Sequence, residues 1–230
     1  PASAETQILQ RDRHAIVLAV LATAAGTIEQ MCRTFWEMMR SEVRELEEPR
    51  KPKQRGSSAM PQKKNPILTE RLMGLARVVR GCLTAAMENI ATPECRDISQ
   101  SSVEREIFPT ATGLVHYMAV KATGLVQNLV VFSERMRRNL EATSLGVWAS
   151  QRVRLALMEK GVPPDAAYEH VQELAFTAVR SGMPLRNLVS HASPPGRIGG
   201  GLLTDAELDR CFDVRSYLEL GITYIFRNVE

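Results

Sequence analysis

Apolar residues recur at steps of three or four through the first part of the chain. Ile16, Val20, Ala24, Ile28, Met31, Phe35 and Met38 form one stripe, and from His14 to Glu47 there is no proline and a single glycine. That spacing predicts a long helix over residues 14–47. Val17, Leu21, Cys32, Trp36, Met39 and Val43 widen the stripe beyond one surface face, which places such a helix in the middle of a bundle. The same periodicity predicts helices over 68–90, ended by Pro93, and over 110–132, with Pro109 near the start. The core of the third is expected to include Leu114, Tyr117, Met118, Leu125, Leu129 and Phe132, and Gly74 and Gly81 on the second offer a place for close helix approach.

Beyond Phe132 the pattern shortens and turn signals crowd in. Ser133 is a candidate N-cap, Gly161-Val162-Pro163-Pro164-Asp165 reads as a stop and restart, and residues 193–201 are rich in proline and glycine. Short helices are predicted over 134–143, 145–159, 165–181, 185–190, 205–210 and 215–228. No strand-like alternation of convincing length, internal repeat or sustained heptad is visible. The expected fold class is all-α. A long-helix bundle over residues 1–132, carrying a polar loop at 56–66, precedes a small domain of short helices over 133–230. Three helices apolar on several faces cannot bury them all within one chain, so the bundle is expected to be completed by symmetry mates.

Composition narrows the function classes. The 230 residues are 44% hydrophobic, within the ordinary globular range. Net charge is +3, with 29 basic and 26 acidic residues, which suits small anions, while 5% aromatic content argues against a nucleic-acid binder. The sequence reading finds no apolar run long enough to span a bilayer and no signal-peptide pattern in Pro1–Glu5, so no membrane partner and a cytoplasmic location are expected. The chain lacks an initiator Met, which suggests a fragment. Cys32, Cys82, Cys95 and Cys211 are scattered and read as free thiols of a reducing compartment. No His or Cys pair has metal-ligand spacing, and there is no Walker-type phosphate loop.

The candidate chemistry is concentrated in Gly56-Ser57-Ser58-Ala59-Met60-Pro61-Gln62-Lys63-Lys64-Asn65-Pro66. Gly56 permits unusual backbone angles and the prolines forbid a continuous helix, so two hydroxyls, two ammonium groups and a carboxamide are displayed on a loop. Residues 50–64 carry six Lys or Arg residues and read as a mobile basic connector. Removing a proton from carbon beside a carboxylate needs a base, an acid on the leaving-group side, and cationic donors for the developing charge. Ser57 or Ser58 is a candidate base if desolvation, loop N–H groups and Lys63 stabilise its alkoxide. Taken alone, the segment reads more readily as a basic surface loop.

A second constellation is Arg96-Asp97-Ile98-Ser99-Gln100-Ser101-Ser102-Val103-Glu104-Arg105. Two guanidiniums with hydroxyls between them suit a phosphate held by bidentate bonds. Read blandly, it is a polar capping turn in which Asp97 and Glu104 neutralise the arginines. A third segment, Thr6-Gln7-Ile8-Leu9-Gln10-Arg11-Asp12-Arg13-His14, reads by itself as a solvated helix start.

The first segment resembles the signature loop of the fumarase/aspartase superfamily, whose members eliminate fumarate from substituted succinates. The second and third are similar to motifs of its adenylosuccinate lyase family, with Gln100 in place of a histidine and Cys95 in place of a common glutamate. The resemblance implies Ser57 as base, Lys63 and Asn65 as carboxylate ligands, and Glu70 as support for a catalytic histidine that lies upstream of this chain. It further implies substrate contacts from Gln7 and Met60, and contacts with a nucleotide phosphate and its surroundings from Arg96, Ser101 and Arg105. It implies a nucleotide substrate, no cofactor or metal, and a homotetramer with shared active sites. Gln62–Pro66 also resembles the argininosuccinate lyase loop; that activity, a muconate cycloisomerase, and a catalytically silent scaffold of the same fold are the alternatives.

Overall fold

The computed structural model describes residues 4, 8–50, 60, 62–95, 97–192 and 201–229; for Cys95, Tyr217 and Leu220 it describes the backbone. The chain divides into two compact units, residues 1–132 and 133–230.

The first unit is built from three long helices, α1 (Asp12–Met38), α2 (Ile67–Glu88) and α3 (Ser99–Gln127). Trp36 near the end of α1 meets Glu70 in the first turn of α2, and Arg71 in the same turn meets Tyr117 late in α3. Successive helices therefore run antiparallel. A two-residue ladder joins β1 (Leu46–Glu47) to β2 (Val130–Val131) in antiparallel register.

The fully buried residues of α1 are Ala15, Leu18, Ala22, Ala25 and Cys32; of the expected stripe, Ile28, Met31 and Phe35 pack partly buried against this core, while its N-terminal members face outward. Ile16 and Val20 are 62% and 64% exposed. Ala76 and Ala86 on α2, and Ala111 and Ala122 on α3, join the same core. Side chains this small let helix axes approach closely, and dispersion contacts then come from near-backbone surfaces. Bulk on the outward face does not oppose that approach, so Ile16 and Val20 are tolerated there. Of the core residues expected for the third helix, Met118 and Leu125 are buried on α3, whereas Phe132, beyond its end, is exposed. A Cβ added at Gly74 or Gly81 would meet nothing within 4 Å, so neither glycine sits at a close helix contact within this chain.

Three further expectations are corrected. Helix α1 stops at Met38 rather than near Glu47. Glu45 N–H returns to Met38 O at 2.9 Å, Arg44 takes a left-handed φ of 54°, and Leu46 is buried on the ladder. Helix α3 starts at Ser99, eleven residues before the expected start, and passes through Pro109. Pro109 is exposed, so the carbonyl freed by its missing N–H faces water. By length and composition α1 also contains an 18-residue window apolar enough to cross a membrane. Its alanine-rich stripe nevertheless belongs to the core shared with α2 and α3.

The second unit comprises α4 (Ser133–Arg138), α5 (Ser150–Glu159), α6 (Pro164–Ser181), α7 (Leu185–His191), α8 (Asp205–Cys211) and α9 (Val214–Arg227). Its core uses larger side chains, among them Val153, Leu157, Val171, Leu185, Val189 and Leu208. The helices stop and start where local chemistry says they should. Gly161 at φ 88° and the Pro163-Pro164 pair separate α5 from α6, and Gly182 at φ 71° ends α6. Thr204 and Glu207 form a reciprocal capping box on α8, and Asp213 accepts from the Arg215 and Ser216 N–H groups at the start of α9. Gly146 has φ 74°, and a Cβ there would lie 3.0 Å from the Phe212 ring.

Candidate active site

The end of the signature loop runs straight into α2. Lys63 N–H donates to Met60 O at 3.0 Å, Ile67 N–H donates to Asn65 O at 3.0 Å, and the helix continues with Glu70 N–H to Pro66 O at 3.0 Å. Helix termini leave orphan N–H groups, and here two are satisfied from a distance. Glu48, 7% exposed, accepts from Leu68 N–H at 3.1 Å and Thr69 N–H at 2.6 Å, and from the Thr69 hydroxyl. Its neighbour Glu47 pairs with Lys64, whose Nζ lies 2.7 and 2.8 Å from the two carboxylate oxygens. Two consecutive glutamates thus hold the chain entering the loop to the chain leaving it. Cys32 on α1 is also under the influence of this carboxylate: burial first, and then the Glu48 charge, push its thiol up to about 11.

This arrangement separates the two lysines. Lys64 is held by Glu47, whereas Lys63 is exposed and has no ion-pair partner among the described residues. Asn65 is half-buried beside it, and Glu70 is exposed one turn into α2, where Oε1 accepts from Trp36 Nε1 at 3.2 Å. Met60 is exposed. Ser57 and most of the expected mobile connector lie outside the described residues, as do Gln7 and Arg96.

From Ser99 onward the second constellation is helical, the first turns of α3. Asp97 accepts from the Ser99 hydroxyl at 3.0 Å and from the Ser99 N–H, and these bonds, hydroxyl first, hold its carboxyl below the usual range. Ser101 and Arg105 follow four residues apart and share one face of α3. Ser101 is half-buried and Arg105 exposed. Between them Glu104 turns inward: its Oε1 lies 2.8 Å from Arg11 Nε and 3.9 Å from His14 Nδ1, an ion-pair contact short of hydrogen-bond geometry. Gln100, the departure from the family motif, is 5% exposed, and its Oε1 has no donor among the described residues.

Within this chain the predicted residues form two groups. Lys63, Asn65 and Glu70 lie at the end of the bundle where α1 finishes. Ser101 and Arg105 lie at the end where α1 begins, beside Arg11 and His14. The 27 residues of α1 separate the ends by about 40 Å. Sequence reasoning missed the roles of Glu47, Glu48 and Trp36, and paired Glu104 with the arginines of its own segment rather than with Arg11, because the partners that give them meaning lie seventeen or more residues away. Among the described residues no group of three or more His, Cys, Asp or Glu is placed to hold a metal ion. In the second unit a cavity of about 370 Å³ is lined by α5 and α6, including Arg154, Tyr168 and Phe176; no predicted site residue lines it.

The fold defines the class, the helical bundle of the fumarase/aspartase superfamily. A solved 3-carboxy-cis,cis-muconate lactonizing enzyme from Pseudomonas putida matches with a TM-score of 0.77 at 26% identity, over 97% of this chain and 48% of that one. A fumarate lyase from Mesorhizobium sp. BNC1 matches with the same TM-score at 22% identity, over 93% of this chain and 46% of that one, and bears on the fold alone. The family model described as Lyase matches residues 1–81, and that described as Adenylosuccinate lyase C-terminus matches residues 146–226. An adenylosuccinate lyase of Thermotoga maritima is 43% identical over 230 residues, all of this chain and 52% of that protein. One of Deinococcus radiodurans is 47% identical over 213 residues, 92% of this chain and 47% of that protein. Over its whole length the chain is similar to adenylosuccinate lyases. It spans about half the length of the curated relatives it matches.

Proposed function

We propose that the protein carrying this chain cleaves a carbon–nitrogen bond by anti elimination, releasing fumarate from adenylosuccinate and from the related succinyl-aminoimidazole carboxamide ribonucleotide. The observation that carries this reading is the 43% identity to an adenylosuccinate lyase across all 230 residues. Ser57 takes the proton from the carbon beta to the departing amine. The C–H electron pair becomes the new C=C bond, and the C–N pair leaves on nitrogen, which takes a proton from a histidine outside this chain. Lys63 and Asn65 bind the carboxylate over which charge develops. Glu70 supports the histidine, and Met60 and Gln7 contact substrate. Arg96, Ser101 and Arg105 hold the nucleotide phosphate. The reaction uses no cofactor.

The separation of the two residue groups by the length of α1 supports a site assembled from several chains. So do the exposed Ile16 and Val20 on its outer face. A homotetramer with shared sites, acting in the cytoplasm on a small nucleotide, completes the reading.

The test is fumarate release by the complete protein. Ser57→Ala should abolish it while leaving substrate binding within about tenfold, roughly 1.4 kcal/mol. A dead Ser58→Ala beside a working Ser57→Ala would move the base by one residue. Arg96→Ala and Arg105→Ala should each lower kcat/KM about ten- to a hundredfold with the phosphorylated substrate and little with its nucleoside. Best turnover on argininosuccinate would overturn the nucleotide assignment.

A further inference from the structure

We propose that Glu48 is a positioning residue for the elimination: through the first turn of α2 it sets where Lys63, Asn65 and Glu70 stand. This rests on the function proposed above.

The geometry supports a specific task. Glu48 belongs to the segment entering the loop, yet its carboxylate lies at the N-terminus of the helix that follows it, bonded to Leu68 N–H, Thr69 N–H and the Thr69 hydroxyl. A carboxylate there faces the positive end of the helix dipole as well as three donors. It is nearly excluded from water, so these bonds exchange little with solvent. Glu47 then repeats the tie at Lys64, on the other side of Asn65.

The three functional residues bracket this anchor. Lys63 and Asn65 precede the bonded N–H groups by three to six residues, and Glu70 follows them. A rotation or slide of the first turn would move all three together. Misplacement of this order affects the step in which charge develops more than ground-state affinity. Lys64 completes the anchor instead of facing substrate, which explains how adjacent lysines take different tasks.

The experiment compares Glu48→Gln, Thr69→Val and Thr69→Ser in the complete protein, measuring kcat, KM and melting temperature on folded enzyme. Glutamine keeps the shape of Glu48 but turns an amide donor toward groups that are themselves donors. The expected result is a kcat at least tenfold lower in Glu48→Gln with KM within threefold. Thr69→Val should lose severalfold in kcat, and Thr69→Ser, which keeps the hydroxyl, should recover it. Should Glu48→Gln fail to fold, the two Thr69 variants decide. A lower melting temperature with kcat within twofold of wild type, in whichever variants fold, overturns the positioning role and leaves Glu48 a structural cap. A complete wild-type protein that releases no fumarate overturns the underlying function instead.

Discussion

Helices α8 and α2 have their first turns satisfied by opposite means. In α8 the acceptor is Thr204 and the reciprocal carboxylate is Glu207, three residues on. In α2 the N-cap position is Pro66, which offers no side-chain acceptor, and the carboxylate comes from Glu48, twenty residues before the Leu68 N–H it accepts from. A local box forms as soon as one turn forms. A distant cap forms only after the intervening chain has been brought back, and the ordering entropy of that return must be offset. The difference follows the division of labour: the second unit closes its short helices by local signals, while the first uses a long-range bond to place the end of a helix beside candidate chemistry.

The comparison breaks first at Glu48. Glu48→Ala leaves two N–H groups and a hydroxyl without their acceptor in a site of little solvent access, and should cost about 3 kcal/mol. Denaturant unfolding of the complete protein measures it. A loss no larger than that of the local cap would show that distance confers no extra weight.

Packing in the first unit should be nearly as sensitive. Ala25 is fully buried in the alanine seam. Ala25→Leu should destabilise by about 1–3 kcal/mol through overpacking. Val20→Ala on the exposed face of α1 sharpens the contrast. It should cost little if that face meets water, and about 1 kcal/mol or more if a second chain covers it, so its dependence on protein concentration reports the assembly.

The local cap should be worth less than the distant one. Thr204→Ala removes the acceptor for Glu207 N–H and should cost about 1 kcal/mol, seen as a lower melting temperature with unchanged fumarate release.

The smallest effect is a pH dependence at the same box. The Lys160 ammonium first, then the Thr204 N–H and hydroxyl, hold the Glu207 carboxyl down at about 2, against an ordinary value of 4.5. A depressed carboxyl contributes stability above its unfolded value and loses it as pH falls through its folded value. The difference in melting temperature between wild type and Glu207→Gln should therefore be full above pH 4.5 and shrink toward pH 2. A constant difference across that window would mean that Glu207 acts through shape rather than charge.

The sequence by itself determined the helical class, the three long helices followed by short ones, and most boundaries in the second unit. Gly161-Val162-Pro163-Pro164 breaks one helix and starts the next because backbone chemistry leaves no other choice. The reactive segment at 56–66 was legible for a related reason: hydroxyls, ammonium groups and prolines declare themselves in order along the chain. Tertiary structure alone decided which face of α1 is buried, since periodicity gives an angle and not the identity of the neighbour. It decided that α1 ends at Met38, where the chain must turn to bury Leu46 on the ladder with Val131. It also decided that Glu48 caps α2 and that Ser101 and Arg105 lie a helix length from Lys63 and Glu70. These are relations between residues distant in sequence, and side-chain order within a short window carries no record of which remote groups it will meet.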